Sequence, residues 1–311
     1  MTVETPILNA PAVALNVPAA AKINLYLHIT GQRPDGYHFL DSLVAFAGVH
    51  DTVTLSPAPD LTLSLELDGP YAGDLPEVGG NLALQAAERL RQAAGCDAGA
   101  AIRLEKKLPV ASGIGGGSAD AAAVLGGLVR LWGLDAAEIN LRDLALDLGA
   151  DVPVSLFGEA AFVGGIGEEI VRAPALPPTW LVLVNPGVAL STPAVFEARG
   201  GQFSKPERFD DSPATAAVLA EFLARTGNDL TAAAIGIEPV IGDVLKALEA
   251  AEEVLLARMS GSGATCFGLF AETAAAARAA AEISRAQPGW WVRATPLLAD
   301  ARTPVGYAGA G

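Results

Sequence analysis

Ser112-Gly-Ile-Gly-Gly-Gly-Ser118 places four glycines and two serines within seven residues, and an alanine-rich run follows directly. Glycine takes positive φ and lets successive backbone N–H groups turn toward one point. A helix beginning near Ser118 would aim the positive end of its dipole at the same point. The chemistry this suits is polyphosphate binding, although a bare glycine-rich loop serves equally well as a turn joining strand to helix. Two common architectures are excluded. A Walker loop needs a lysine before the helix, whereas Gly117 is followed by Ser118, Ala119 and Asp120. The dinucleotide fingerprint needs glycine three residues after Gly115, where Ser118 stands.

Three further segments carry reactive groups. In Ala21-Lys-Ile-Asn-Leu-Tyr-Leu27, Lys22 and Asn24 are two apart in an apolar-polar alternation, so a strand would send both from one face. Gly149-Ala-Asp-Val-Pro-Val154 offers an acid, Asp151, on a glycine-defined loop; alone, Asp151 reads as a helix N-cap and Lys22 as a surface residue. Met259-Ser-Gly-Ser-Gly-Ala-Thr-Cys266 is a second glycine turn between apolar strands. Lys106 and Lys107 read as a solvated strand end. His28 and His50 read as packed or surface histidines.

The elements that must position these groups follow from periodicity and breakers. Strands are expected at 17–29, 53–55, 61–67, 101–104, 180–184 and 290–296. A turn is expected at 31–36, a hairpin over 161–171, and a strand–turn–strand over 255–270. Helices are expected at 81–94, 118–132, 139–148, 214–226, 240–250 and 273–286, with 149–154 a tight loop and 198–213 a surface loop. The mixture indicates an α+β chain. Its expected parts are a loose Pro/Ala-rich lead-in over 1–16, an N-terminal domain over 17–170 and a C-terminal domain over 171–311.

The 311 residues, 51% hydrophobic and 18% charged, describe a globular protein with room for two cores. No apolar run reaches the length of a membrane span, and the first 16 residues lack the basic start and apolar centre expected of a secretory signal. Net charge of −15 argues against nucleic-acid or membrane-surface partners, so attraction for a phosphate must be local. Two cysteines, Cys96 and Cys266, fit a reduced cytoplasmic protein with buried thiols, with one disulfide the alternative.

Taken together, the Lys-containing segment, the central Pro-x-x-x-Gly loop and the second glycine motif resemble the kinase superfamily named for galactokinase, homoserine kinase, mevalonate kinase and phosphomevalonate kinase. Ala21–Leu27, Gly31-Gln-Arg-Pro-Asp-Gly-Tyr-His38, Gly149–Val154 and Asn185-Pro-Gly-Val188 resemble, within it, the branch whose acceptor is a cytidine diphosphate-linked methylerythritol in isoprenoid precursor synthesis. The resemblance runs from about residue 17 to 295. It implies a two-domain kinase fold and transfer of a phosphoryl group from ATP, with Mg2+, to the acceptor's 2-hydroxyl. It implies Asp151 as base and Lys22 as its neighbour, holding the carboxylate ionised and countering phosphoryl charge. Pro109, Gly113, Ile114, Gly115, Gly116, Gly117 and Ser118 would surround ATP. Asn24, Tyr37, His38, Thr192, Phe196, Gly261, Ser262 and Gly263 would hold the acceptor, with the base stacked between Tyr37 and Phe196. For a lone Phe, core packing is the competing reading. Ala119 departs from the family pattern, which has a second serine there. No metal ligand is singled out, and the oligomeric state is open.

Overall fold

The computed structural model describes residues 14–75, 80–298 and 300–302. Residues 1–13 of the expected lead-in lie outside the described residues, whereas Leu15 and Asn16 already begin a strand. That strand, β1 (Leu15–Gln32), pairs antiparallel with β2 (His38–Ala58) across the 33–37 turn, along nearly its whole length. The alternation in β1 predicts one exposed face. Instead every residue from Ala19 to Ile29 is buried. A helix packs on this strand, and the segments at Ile114, Lys205 and Ser260 hydrogen-bond to it. Register shifts fall between Ala20 and Lys22 and between Asn24 and Tyr26, so irregularities flank the two residues singled out above.

The expected short strand at 53–55 is the middle of the 21-residue β2. β3 (Leu63–Asp68) lies parallel to β4 (Gly99–Glu105), which pairs antiparallel with β2. Between them runs α1 (Leu82–Ala94), started by the Asn81 side chain accepting from Ala83 N–H and ended by Gly95 at φ 58°. The glycine loop then leads to α2 (Gly116–Leu131), which starts two residues before the expected Ser118 because Gly115, at φ 65°, serves as its N-cap. Gly127 lets α2 lie hard against the sheet, since a Cβ there would stand 2.3 Å from Leu55 Cδ1.

α3 (Leu141–Leu148) is capped by Asn140 and stopped by Gly149. The tight loop expected over 149–154 is shorter than that, because α4 (Val152–Phe157) begins inside it, with Pro153 in the first turn where its missing N–H costs nothing. β5 (Ala161–Gly165) and β6 (Glu169–Arg172) form the expected hairpin, and β5 also pairs with β2.

The second part contains β7 (Trp180–Asn185), α5 (Thr192–Ala198), α6 (Ala216–Ala224), α7 (Thr231–Ile237), α8 (Val240–Glu249), β8 (Leu256–Met259), β9 (Cys266–Phe270), α9 (Thr273–Ala286) and β10 (Trp291–Leu298). α5 and α7 were not expected; at seven residues each they are too short to show a helical period. The strands order as β3-β4-β2-β10-β7-β9-β8, so β10 joins the two parts of the sheet. It pairs with β7 from Trp291 to Pro296 and with β2 at Leu297 and Leu298. The α+β class read from the sequence holds. Both cysteines are free; Cys266 is buried, whereas Cys96 is only half-buried, against the expectation of two buried thiols. No helix among the described residues is long and apolar enough to cross a membrane.

Candidate active site

The glycine loop is fastened before it reaches α2. Ser112 Oγ donates to the Pro109 carbonyl at 2.6 Å, and Lys22 N–H donates to the Ile114 carbonyl at 2.9 Å, tying loop to β1. Gly113 has φ 77°, and a Cβ there would stand 2.5 Å from the Ser260 carbonyl oxygen and 2.6 Å from that of Gly263. Conversely, a Cβ on Gly261 would stand 2.6 Å from the Gly113 oxygen. The two glycine loops therefore pack backbone on backbone, with no room for a side chain between them. Thr265 N–H donates to the Ser112 carbonyl at 3.0 Å across the same junction. Past it, α2 opens with no side-chain cap, so the N–H groups of its first turn are left for another partner.

Lys22 and Asp151 come together. Lys22 Nζ donates to Asp151 Oδ2 at 2.9 Å, although 129 residues separate them. The lysine side chain is 5% exposed and the carboxylate 46%, so the pair looks outward from a buried ammonium. Gly115 faces the lysine stem, where a Cβ would lie 3.3 Å from Lys22 Cβ. Asp151 does occupy the N-cap position of α4, but its side chain makes no capping bond there and turns to Lys22 instead.

Asn24 lies one residue beyond Ile23 on the same strand and is buried. Its Nδ2 donates to Ser42 Oγ at 2.8 Å, and Ser42 Oγ donates onward to the Tyr26 carbonyl at 2.5 Å. Asn24 Oδ1 is buried with no hydrogen-bond partner among the described residues. Its backbone N–H donates to Ser260 Oγ at 3.1 Å, and Ser260 Oγ donates to the Gly113 carbonyl at 3.1 Å. Ser260 thus links β1, the first glycine loop and the second. Sequence reasoning passed over it, although it stands inside the quoted Met259–Cys266 motif. Asn228 was missed too; its Nδ2 donates to the carbonyls of Met259 and Gly261, both at 2.8 Å, and pins the second loop. Nothing near Asn228 in the sequence signals this.

Thr192 and Ser262 meet at 2.8 Å between hydroxyls, joining α5 to the second glycine loop. The aromatic arrangement differs from expectation. It is His38, not Tyr37, whose ring meets Phe196, with centroids 5.3 Å apart and planes at 36°. Tyr37 is 63% exposed, with the Arg33 guanidinium 6.0 Å from its ring. The reason is register: His38 opens β2 and is held by its pairing with Gln32, whereas Tyr37 belongs to the turn. Burial and then the nearby Arg199 guanidinium hold the His38 imidazole below its ordinary range, so it stays neutral at neutrality. His28 is buried, with Nδ1 at the Lys205 carbonyl, 2.9 Å away, and Nε2 accepting from Gly227 N–H at 3.2 Å.

Lys106 overturns its expectation as a solvated strand end. Its side chain is 2% exposed and lies between the carboxylates of Asp51 and Asp120. Lys107 is exposed as expected, paired with Glu105 at 2.7 Å. Among the described residues no group of three or more His, Cys, Asp or Glu side chains could cage a metal ion.

Comparison with known proteins returns a consistent picture. The family model for the GHMP kinases N terminal domain matches residues 81–159, and the GHMP kinases C terminal model matches residues 213–289. A curated 4-diphosphocytidyl-2-C-methyl-D-erythritol kinase of Paramagnetospirillum magneticum is 56% identical over 285 residues, 92% of this chain and 99% of that protein. The enzyme of the same name from Rhodospirillum rubrum is 50% identical over 93% of this chain and 95% of its own length. A crystal structure of a 4-(cytidine 5'-diphospho)-2C-methyl-D-erythritol kinase superposes with TM-score 0.72 at 36% identity, covering 91% of this chain and 99% of that one. A homoserine kinase from Cytophaga hutchinsonii, at 17% identity and TM-score 0.70 over 97% of this chain and 98% of its own, shares the fold.

Proposed function

Because the chain belongs to the 4-diphosphocytidyl-2-C-methyl-D-erythritol kinases, a family of the GHMP kinases, we propose that its Lys22 and Asp151 transfer the γ-phosphoryl group of ATP to the 2-hydroxyl of that acceptor. The products are the 2-phosphate and ADP, a step of the non-mevalonate route to isopentenyl diphosphate. The observation that carries the assignment of roles is the pair itself: a buried ammonium 2.9 Å from a half-exposed carboxylate, beside the loop that opens α2.

Phosphoryl transfer asks the protein for alignment and charge neutralisation more than for covalent chemistry. Asp151 accepts the hydroxyl proton or fixes the hydroxyl's direction. Lys22, unable to relax into water, counters charge building on the transferring group. Asn24, buried on the same strand as Lys22 and tied to Ser42, would orient the acceptor side of the pair. Pro109, Ile114, Gly113 and Gly115–Ser118 form the nucleotide's side, with Gly116, Gly117 and Ser118 offering the uncapped N–H groups of α2. His38 and Phe196 hold the cytosine, with Tyr37 at the rim. Thr192, Gly261, Ser262 and Gly263 complete the acceptor side from the second part of the chain. In this division residues 17–170 carry ATP and the reacting pair, and 171–311 complete the site.

Mg2+ would be held by the nucleotide phosphates and water, since the described residues offer no cage for it. The acidic balance of the chain fits small-molecule substrates and neither nucleic acid nor membrane as partner, and its two free cysteines fit the cytoplasm.

The test is an ATP-coupled assay offering the cytidine-linked methylerythritol, homoserine and mevalonate in turn. Turnover with the first alone is expected; turnover with mevalonate alone would overturn the specificity. Asp151→Asn should cut kcat by roughly 100-fold or more while ADP still binds, and an unchanged kcat removes Asp151 from the mechanism.

A further inference from the structure

Two buried carboxylates share one buried ammonium directly behind the glycine loop. Asp51 lies on β2, Lys106 follows β4 and Asp120 is one turn into α2; their side chains are 0%, 2% and 3% exposed. Lys106 Nζ donates to Asp51 Oδ2 and, at 2.7 Å, to Asp120 Oδ2. The Lys106–Asp120 pair thereby closes segment 107–119, the whole of the loop. Asp51 uses its other oxygen to accept from the backbone N–H groups of Lys107 (2.5 Å) and Leu108 (2.9 Å). Asp120 Oδ1 is buried with no hydrogen-bond partner among the described residues. Gly116 puts no side chain between the loop and this cluster: a Cβ there would lie 3.4 Å from Lys106 Nζ and 3.7 Å from Asp51 Oδ2.

With both acids ionised the cluster has one negative charge in excess, and its surroundings do not balance it. From β1, Lys22 turns its ammonium to Asp151. On β2, His50 directs Nδ1 to the Asp51 carbonyl. Beyond β4, Lys107 pairs with Glu105. The faces of α1 and α4 that are buried are apolar. Burial opposes the Lys106 charge, but the two carboxylates outweigh it and hold the ammonium protonated. Burial pushes the Asp120 carboxyl up, Lys106 pulls it back and Asp51 pushes it up again; the net direction is upward.

We propose that Asp120 is a positioning residue whose protonation is coupled to nucleotide binding: phosphates seated on the glycine loop draw one proton onto the Asp51–Lys106–Asp120 cluster. This rests on the reading that the loop holds the nucleotide's phosphates. A polyphosphate brought against the first turn of α2 raises the cost of a like charge buried beneath it, and a proton on Asp120 removes that charge. The complex then holds more protons than the free protein, so nucleotide affinity falls as pH rises.

The probe is MgADP, titrated calorimetrically into the full-length protein at pH 7.5 in PIPES and in Tris, whose ionisation enthalpies differ. The wild type should show a buffer-dependent enthalpy corresponding to uptake of up to one proton, and Kd should weaken by up to about tenfold per pH unit above neutrality. Asp120→Asn, which keeps an oxygen for Lys106, should remove the buffer dependence and flatten the pH series. A buffer-independent enthalpy in the wild type, or an unchanged one in the variant, overturns the proposal. Should the variant not fold, the wild-type pH series decides alone, and a flat series overturns it. Failure of MgADP to bind at all sinks the loop reading as well, which separates the two.

Discussion

Lys22 and Asp151 differ in what each would lose by mutation. Lys22 is almost wholly buried and Asp151 is half in water, so removing the lysine leaves its partner hydrated and not stranded. Lys22→Met should therefore keep the fold, with thermal unfolding shifted by a few degrees, while kcat falls by about 100-fold or more; a kcat within threefold of wild type, measured in the coupled assay, would remove the ammonium from the chemistry. At His38 the sign of the pH effect is fixed by its environment. Burial and Arg199 lower its pKa, so the ring stays neutral as pH drops through the ordinary imidazole range. The KM for the cytidine-linked acceptor should then stay level from pH 8 to about 6.5 and rise only below that. A rise already under way at pH 7 contradicts a neutral ring in the site.

Among the elements, the two glycine loops and the start of α2 make opposite predictions for the same substitution. Gly113→Ala asks for a Cβ 2.5 Å from the Ser260 carbonyl at φ 77°, so it should unfold or strongly destabilise the protein, by about 3 kcal/mol or more in chemical denaturation. Gly117→Ala meets only Leu82 Cδ1 at 3.8 Å and replaces a poor helix former, so stability should hold or rise by about 1 kcal/mol. If KM for ATP nevertheless climbs several-fold in Gly117→Ala, the backbone there approaches the phosphates; an unchanged KM places them elsewhere. These elements were mostly legible in the sequence, because Asn81, Gly95 and Gly149 are start and stop signals with local mechanisms, although the expected helix at 139–148 ran through Asn140, the cap of α3. What was illegible is non-local. The burial of Lys106 depends on residues 55 and 14 positions away in sequence. Likewise the exchange of Tyr37 for His38 beside Phe196 follows from strand register, which a turn-rich Gly31–His38 segment does not disclose.

For the molecule as a whole, the parts are stitched by long-range contacts around β1. Arg258 on β8 is buried and donates to the carbonyls of Leu25, Leu223 and Thr226, joining three elements that are distant in sequence. Arg258→Met would take one donor from each of these carbonyls, although that of Leu223 keeps the Thr226 N–H and hydroxyl, and should cost about 2 kcal/mol of unfolding free energy, read from a urea titration; a loss below 0.5 kcal/mol would mean the clamp is dispensable. The sheet has a longer reach still, because β10, the last of the described strands, lies in its middle between β2 and β7. On the ribosome, β7 emerges with its Leu181–Val184 core sequence ready and gains β9 on one side, but waits for roughly a hundred further residues, about 5–20 s of synthesis, before β10 exists to cover the other. During that interval an apolar strand edge is open to chaperones and to other nascent chains. A message truncated before Trp291 would thus leave β7 with one open edge and remove the short junction at Phe46 and Ala47 through which β10 ties it to β2.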